Sequence, residues 1–372
     1  MPETSLYDFA DVQSEADLRA RAKDLVLHEG DPVRSITFIS DSSPSTIIEE
    51  NWLPAGFSIE LEERNEFQKG TLTRRLKGSG EEYNEEGFRV LEEEIYLIQH
   101  DPEDMYTIFS ISDRDYFENC LKTFIQGLPS AISMSFLSTE EMRKLFSELD
   151  NHVDGKILAT KAVVKSPSDT DVKYFDDSSY REVFNLNEVV EQDFYVDKVE
   201  FELKRSGQSL TGQISRRGES RFVGGDSNLY FGVLLESLAK LLSDKGDLFE
   251  GKAREYGSRE ADRIQIEYED GSIEGTEENI RLIEALDGIS QSSVNVYHKN
   301  PYMHASILDY EDGTSADVFL TSDNNISIVP GFNASRKTLS RICDHINEAF
   351  LEGETTEGKE VSKDFDDYFV EG

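Results

Sequence analysis

The chain has 372 residues, of which 76 are acidic and 38 basic, for a formal charge of −38. Its 37% hydrophobic and 10% aromatic content is enough to bury more than one core, which excludes a disordered acidic tail. The acids recur in "SIELEERNEF", "GSGEEYNEEG" and "YEDGSIEGTEE", mixed with apolar and aromatic residues, so they coat a whole surface instead of forming one face that imitates nucleic acid.

Asp and Glu are used heavily and Lys sparingly, with 18 Lys and 20 Arg, and in this the composition resembles that of proteins from extremely halophilic archaea. The resemblance implies molar salt, where the Debye length is about 3 Å and self-repulsion is screened. No run of about 18 apolar residues offers a membrane span. The opening "MPETSLYDFADVQSEADLRARAKDLV" is charged and helical in pattern, without a signal-peptide core, so the expected location is cytoplasmic. Cys120 and Cys343 supply neither a disulfide framework nor a cysteine zinc cluster and read as buried thiols.

In chain order, "RSITFIS", "FSIELEE", "GTLTRRLKG", "EEIYLIQH" and "YTIFSIS" carry the β-branched and aromatic residues of strands. "DRDYFENCLKTFIQGLP" follows as a helix capped by Asp113 and closed by Gly-Leu-Pro. "LSTEEMRKLFSELDNHV" is a helix with a fully specified start: Ser138 caps it, Glu141 answers as the reciprocal partner, and Leu137 staples to Met142. Ser, Asp and Pro then accumulate over 163–179, which predicts a linker between an N-terminal domain, 1–162, and a C-terminal domain, 180–350.

Strands resume in "KVEFELKRSGQSLTGQISRRGESRFV", followed by the helical "NLYFGVLLESLAKLL". "SVNVYHK" and "YMHASILDYEDGTSADVFLTSDNNISIVPG" give another set of strands, turning at Asp312-Gly313 and Asp323-Asn324-Asn325, before the helix "SRKTLSRICDHINEAF". Residues 351–372 read as an acidic flexible tail. Three hairpin-plus-helix units predict an α+β fold, with antiparallel hairpin sheets each covered by helices. The last, "SADVFLTSDNNISIVPG" and its helix, is similar in pattern to one half of a TATA-binding-protein-like repeat, which bears on architecture alone.

Four segments could carry chemistry. "DNHVDGKIL" resembles a calcium-binding loop of the EF-hand kind, with Asp150 and Asp154 at the first and fifth ligand positions, Gly155 at the turn and Ile157 at the apolar position. His152 stands at the third position and Lys161 where the family has a bidentate Glu, so no metal is predicted. "YHKNPYMHASILDYEDG" holds the densest group of His and Asp: His298, His304, Asp309 and Asp312. It resembles the His-x-Lys…Asp signature of the phospholipase D superfamily, with Ser306 at the lysine position. That implies a hydrolase or phosphodiesterase in which His304 is nucleophile or base, supported by His298, Asp309 and Asp312.

Basic residues gather as Arg74, Arg75 and Lys77; as Arg216, Arg217 and Arg221; and as Arg336, Lys337 and Arg341. The second and third groups are candidate holders of an anionic ligand. Finally, "SKDFDDYFVEG" spaces Phe365, Tyr368 and Phe369 as docking anchors and is similar to sliding-clamp-binding peptides, with Ser362 at the usual Gln position. No Walker or dinucleotide loop and no nucleophile elbow is present, so no cofactor is predicted. The sequence therefore predicts a non-catalytic binding or accessory protein of a halophilic cytoplasm, acting in a macromolecular complex engaged in DNA metabolism, with a protein as its main partner and nucleic acid as a second class. A phosphodiesterase built on His298, His304 and Asp309 is the alternative.

Overall fold

The run "VRSITFIS", Val33–Ser40 (β1), is apolar or small at nearly every position, as a strand buried on both faces must be. It sits at the centre of an antiparallel sheet, between β5 (Met105–Ile111) and β11 (Glu219–Gly225). The computed structural model describes residues 12–50, 53–80, 83–84, 87–128, 131–134, 136–153, 155–167, 172–184, 194–205, 207–253, 262–273 and 275–358. The fold is mixed α+β, in two units: Met1–Asp247 and Leu248–Gly372.

In the first unit, α1 (Glu15–Glu29) leads into β1 and α2 (Pro44–Glu50). A meander of β2 (Phe57–Glu63), β3 (Gln68–Lys77), β4 (Phe88–Gln99) and β5 then enters helix α3, residues 114–126, followed by β6 (Ile132–Met134). The second half contains α4 (Thr139–Val153), β7 (Lys156–Lys165), β8 (Val172–Ser179), α5 (Tyr180–Phe184), β9 (Tyr195–Arg205), β10 (Gln208–Ser215), β11 and helix α6, residues 227–247. The sheet runs β2-β3-β4-β5-β1-β11-β10-β9-β7-β8, with β6 also on β1. Helices α3 and α6 share two devices: an Asp cap, Asp113 or Asp226, and an internal π-helical turn, Phe117–Lys122 or Tyr230–Leu234.

One sheet face packs against α1, α4 and α6 through Leu18, Leu145, Leu238, Phe109, Phe201 and Phe222. On the other face α2 and α3 pack on β1, β3, β4 and β5 through Ile47, Phe124, Phe38, Ile95 and Ile108. Among the described residues that second core takes none from β7 to β11, where Glu200, Gln213 and Arg221 stay half-exposed.

The second unit runs β12 (Ile264–Glu267), α7 (Thr276–Asp287), β13 (Ser292–His298), β14 (Met303–Asp309), β15 (Ser315–Leu320), β16 (Asn325–Pro330), α8 (Arg336–Ala349) and β17 (Glu354–Glu357). Its sheet order is β13-β14-β15-β16-β12-β17. Leu282, Leu286, Leu339, Ile342 and Ile346 of α7 and α8 pack on Ala305, Ile307, Val318 and Ile328. The order of elements matches the first part of unit one: strand, helix, four-strand meander whose last strand pairs the first, helix, and a short strand that also pairs the first.

Two boundaries differ from the sequence reading. The stretch 163–179 lies inside the first unit, where 172–179 is β8, paired with β7 from Leu158↔Ser179 to Lys165↔Val172. An edge strand tolerates the Asp and Ser that read as loop, because much of its surface is solvated. Likewise Glu354–Glu357, expected as tail, is a strand on β12, held by backbone pairing that its side chains do not announce. Among the described residues no helix is long and apolar enough to cross a membrane.

Candidate functional site

The aspartates and histidines of the proposed catalytic group lie on the β13–β14 hairpin and its continuation, but not together. Along β14, Met303, Ala305, Ile307 and Asp309 are buried while His304, Ser306 and Leu308 are not, the period-two alternation of a strand with one covered face. His304 and Asp309 therefore project to opposite sides of the sheet, about 16 Å apart along the strand at about 3.3 Å per residue. The expected His/Asp constellation is thus split by the sheet itself.

On the covered side the two aspartates anchor the hairpin to the start of α8. Asp309 is 1% exposed. Its Oδ2 lies 2.5 Å from Arg341 Nη2 and 2.9 Å from Thr338 Oγ1, and its Oδ1 accepts from Glu311 N at 2.8 Å. Asp312 accepts from Thr314 N at 3.1 Å, from Thr314 Oγ1 at 2.6 Å, and from the hydroxyl of Ser335, the cap of α8. Burial alone would raise the Asp312 pKa, but the hydroxyls of Ser335, Thr314 and Thr338 outweigh it and hold the carboxyl below its ordinary value. The third basic group is absorbed in the same way. Arg341 also meets Glu311 at 2.5 Å, Lys337 meets Glu311 at 3.2 Å, and Arg336 meets Glu250 at 3.6 Å. These cations are paired with carboxylates of their own unit.

The opposite side of the hairpin is open and aromatic. His304 stacks on Phe319 at 4.2 Å and 16°, with Tyr297 on its other flank at 4.9 Å. His298 stacks on Tyr302 at 4.1 Å and donates from Nδ1 to the Tyr302 carbonyl, 3.0 Å away. Since a carbonyl only accepts, Nδ1 carries the proton in that bond. Tyr297 is 60% exposed, and Tyr302 and Leu308 are exposed beside it. The carboxylate nearest His304 is Asp317, whose Oδ1 stands 3.7 Å from Nε2, beyond hydrogen-bond reach.

The edge strand of this face differs from the other sheet ends. β2 carries Glu60, Glu62 and Glu63; β8 carries Asp176 and Asp177; β17 carries Glu354 and Glu357. β13, "SSVNVYH", has no Asp, Glu, Lys or Arg. Charged side chains are the usual protection of an exposed edge, and β13 lacks them in a chain that is 31% charged.

In the first unit, Arg216 is fully buried, its guanidinium between the rings of Phe136 and Tyr195 at 3.8 and 3.9 Å. The side chain expected to hold an anionic ligand is thus enclosed in a core cation–π arrangement. Arg217 is exposed at the turn, and Arg221 is half-buried on β11. Of the calcium-like loop, Asp154 lies outside the described residues, while Asp150 is taken by Arg181 at 2.7 Å and Tyr180 at 3.0 Å. Phe365, Tyr368 and Phe369 also lie outside the described residues.

Sequence reading missed one triad-like chain: Thr107 Oγ1 to His100 Nε2 at 2.7 Å, and His100 Nδ1 to Glu236 Oε1 at 2.8 Å. Burial would raise the Glu236 pKa, yet the bond to His100 holds it below its ordinary value. Thr107 is 0% exposed and bonded to Thr37 at 2.8 Å, so no substrate reaches its hydroxyl and the chain ties β1, β4, β5 and α6 together. Among the described residues no three His, Cys, Asp or Glu side chains gather as a metal-ligand set. Cys120 and Cys343 are buried free thiols, and burial pushes Cys120 up to about 11. An apolar recess lined by Phe38, Ile48, Ile95 and Phe124 holds about 10 Å³, no more than a water. No model of a known protein family matches this chain, and no curated protein sequence matches it.

Proposed function

We propose that this is a non-catalytic accessory protein of a halophilic cytoplasm, whose second unit takes an extended segment of a protein partner onto β13. The observation that carries the reading is the uncharged, exposed edge strand beside an aromatic platform. An added strand gains main-chain hydrogen bonds from the edge, and Tyr297, His304 and Phe319 supply apolar contact next to it. The partner segment is poor in acidic residues, since Asp317 stands on the same face and the whole chain carries −38. For the same reason a different protein is favoured over a second copy. The likeness of the chain's end to clamp-binding peptides supports placing the complex in DNA metabolism.

The hydrolase alternative draws no support from a hairpin that puts His304 and Asp309 on opposite faces. The test is affinity purification from the native host in molar salt with the wild-type chain and with Asn295→Lys, which places a charge on the edge. The expected result is a specific co-purifying protein that is lost with Asn295→Lys. The same partners with both chains, or self-association that the substitution abolishes, would overturn the reading. Deleting 362–372 tests the tail separately, and unchanged co-purification discards it as a tether. The halophilic part predicts loss of structure on desalting, and circular dichroism identical in molar and millimolar potassium chloride would contradict it.

A further inference from the structure

We propose that Arg34, Arg221 and Arg114 form a binding site for a small phosphate-class oxyanion on the first unit. Arg34 of β1 and Arg221 of β11 are directly opposite in the antiparallel register, so two like charges face each other across neighbouring strands. Such a pair is destabilising by itself. Arg114, at the first turn of α3, stands close enough that, after burial and Arg221, it is the next influence lowering the Arg34 pKa. Two guanidiniums thus face each other, with the charge of Arg114 also acting on Arg34, in a chain with twice as many acids as bases.

Asp113 and Glu118 favour the charged form of Arg34, but burial and the two arginines outweigh them, and each carboxylate is also engaged elsewhere. Asp113 caps α3, accepting from Tyr116 N at 2.8 Å. Glu118 and Glu219 both hold Lys122, at 3.4 and 2.6 Å. Arg34 donates from Nε to the Ser112 carbonyl at 3.2 Å, which orients its guanidinium without balancing its charge. Arg221 Nε is buried and has no hydrogen-bond partner. Among the described residues none of the three arginines has a carboxylate within ion-pair distance.

The flanking cross-strand neighbours, Ser110 beside Arg34 and Gln213 beside Arg221, are neutral and polar, and the first acid along the row beyond Arg221, Glu200, lies one strand further on, opposite Gln213. An oxyanion with several acceptor oxygens satisfies two planar guanidiniums at once and removes their repulsion, which a single chloride does less well. A free phosphate or phosphomonoester fits better than a nucleic-acid backbone, because the charge of −38 opposes a polyanion and only this local group attracts one.

The experiment is calorimetric titration of the whole chain with inorganic phosphate in molar potassium chloride, paired with thermal unfolding at matched ionic strength. Phosphate should bind the wild-type chain and raise its melting temperature. Arg34→Gln and Arg221→Gln should each weaken binding by about tenfold or more. Arg221→Gln should also raise the melting temperature without phosphate, a response that a purely structural arginine would not give. Arg114→Gln alters an exposed side chain and keeps the test valid if a strand variant fails to fold, and it too should weaken phosphate. Lys240→Gln, on the exposed side of α6, should leave binding unchanged. Absence of phosphate binding to the wild type, or equal binding by all three arginine variants, overturns the site. Tight binding of a single-stranded oligonucleotide, lost in the same variants, overturns the assignment to a small anion.

Discussion

The two faces of the second unit's sheet use similar residues for opposite ends. On the side covered by α7 and α8, Asp309, Asp312, Thr338 and Arg341 close a network in which Asp309 meets Arg341 and Asp312 is held by hydroxyls. On the open side, His304 lies between Tyr297 and Phe319 with no hydrogen bond at Nε2, and the adjoining edge strand carries no charge. Residues that look catalytic in sequence thus divide into a structural clamp and an exposed platform. Proximity along a strand says little about shared chemistry unless the parity of the positions agrees.

The sharpest break of this contrast is at Asp309. Its replacement by Ala leaves Arg341 with Glu311 and Thr338 with Asp312 but removes the buried carboxylate that joins them, and the expected loss is about 2 kcal/mol, the scale for a hydrogen bond to a charged group. Urea unfolding in molar potassium chloride reads it. A midpoint unchanged from wild type would mean that the clamp does not hold the hairpin.

A pH titration sharpens the same side. Because the Asp312 carboxyl is held below its ordinary value in the fold, its contribution is present above the unfolded value of about 4 and is lost as pH falls through the folded one. The melting temperature should therefore fall below about pH 4, and Asp312→Asn should flatten that part of the profile. Molar salt is needed for a clean sign. In dilute buffer, protonating the surplus carboxylates relieves repulsion and acts in the opposite direction.

How much of this was legible in the sequence depends on the distance over which each contact acts. The start of α4 could be read outright: Ser138 accepts from Glu141 N at 3.2 Å, Glu141 accepts from Ser138 N at 2.6 Å, and Leu137 and Met142 are both buried. Everything in that device lies within one helical turn. The strands were legible too, since alternation and β-branched content are local. What escaped was set by pairing between distant segments. Nothing near Arg34 predicts that Arg221 becomes its neighbour, and nothing near Arg216 predicts that Phe136 and Tyr195 enclose it. The acidic, Ser-rich β8 was read as a linker because an edge strand is held by its neighbour's backbone more than by its own side chains.

The smallest predicted effect is the one that most directly separates the two faces. Tyr297→Ala removes a ring that is 60% exposed and touches mainly His304, so its cost to folding should be under about 1 kcal/mol, the range for an aromatic contact at a solvated site. Binding of the β13 partner should nonetheless fall by at least about tenfold, because an exposed aromatic beside an unprotected edge contributes most when a partner covers it. The two readouts respond differently if the face is a docking surface. They respond together if Tyr297 serves only to hold the hairpin, in which case the open face carries no function of its own.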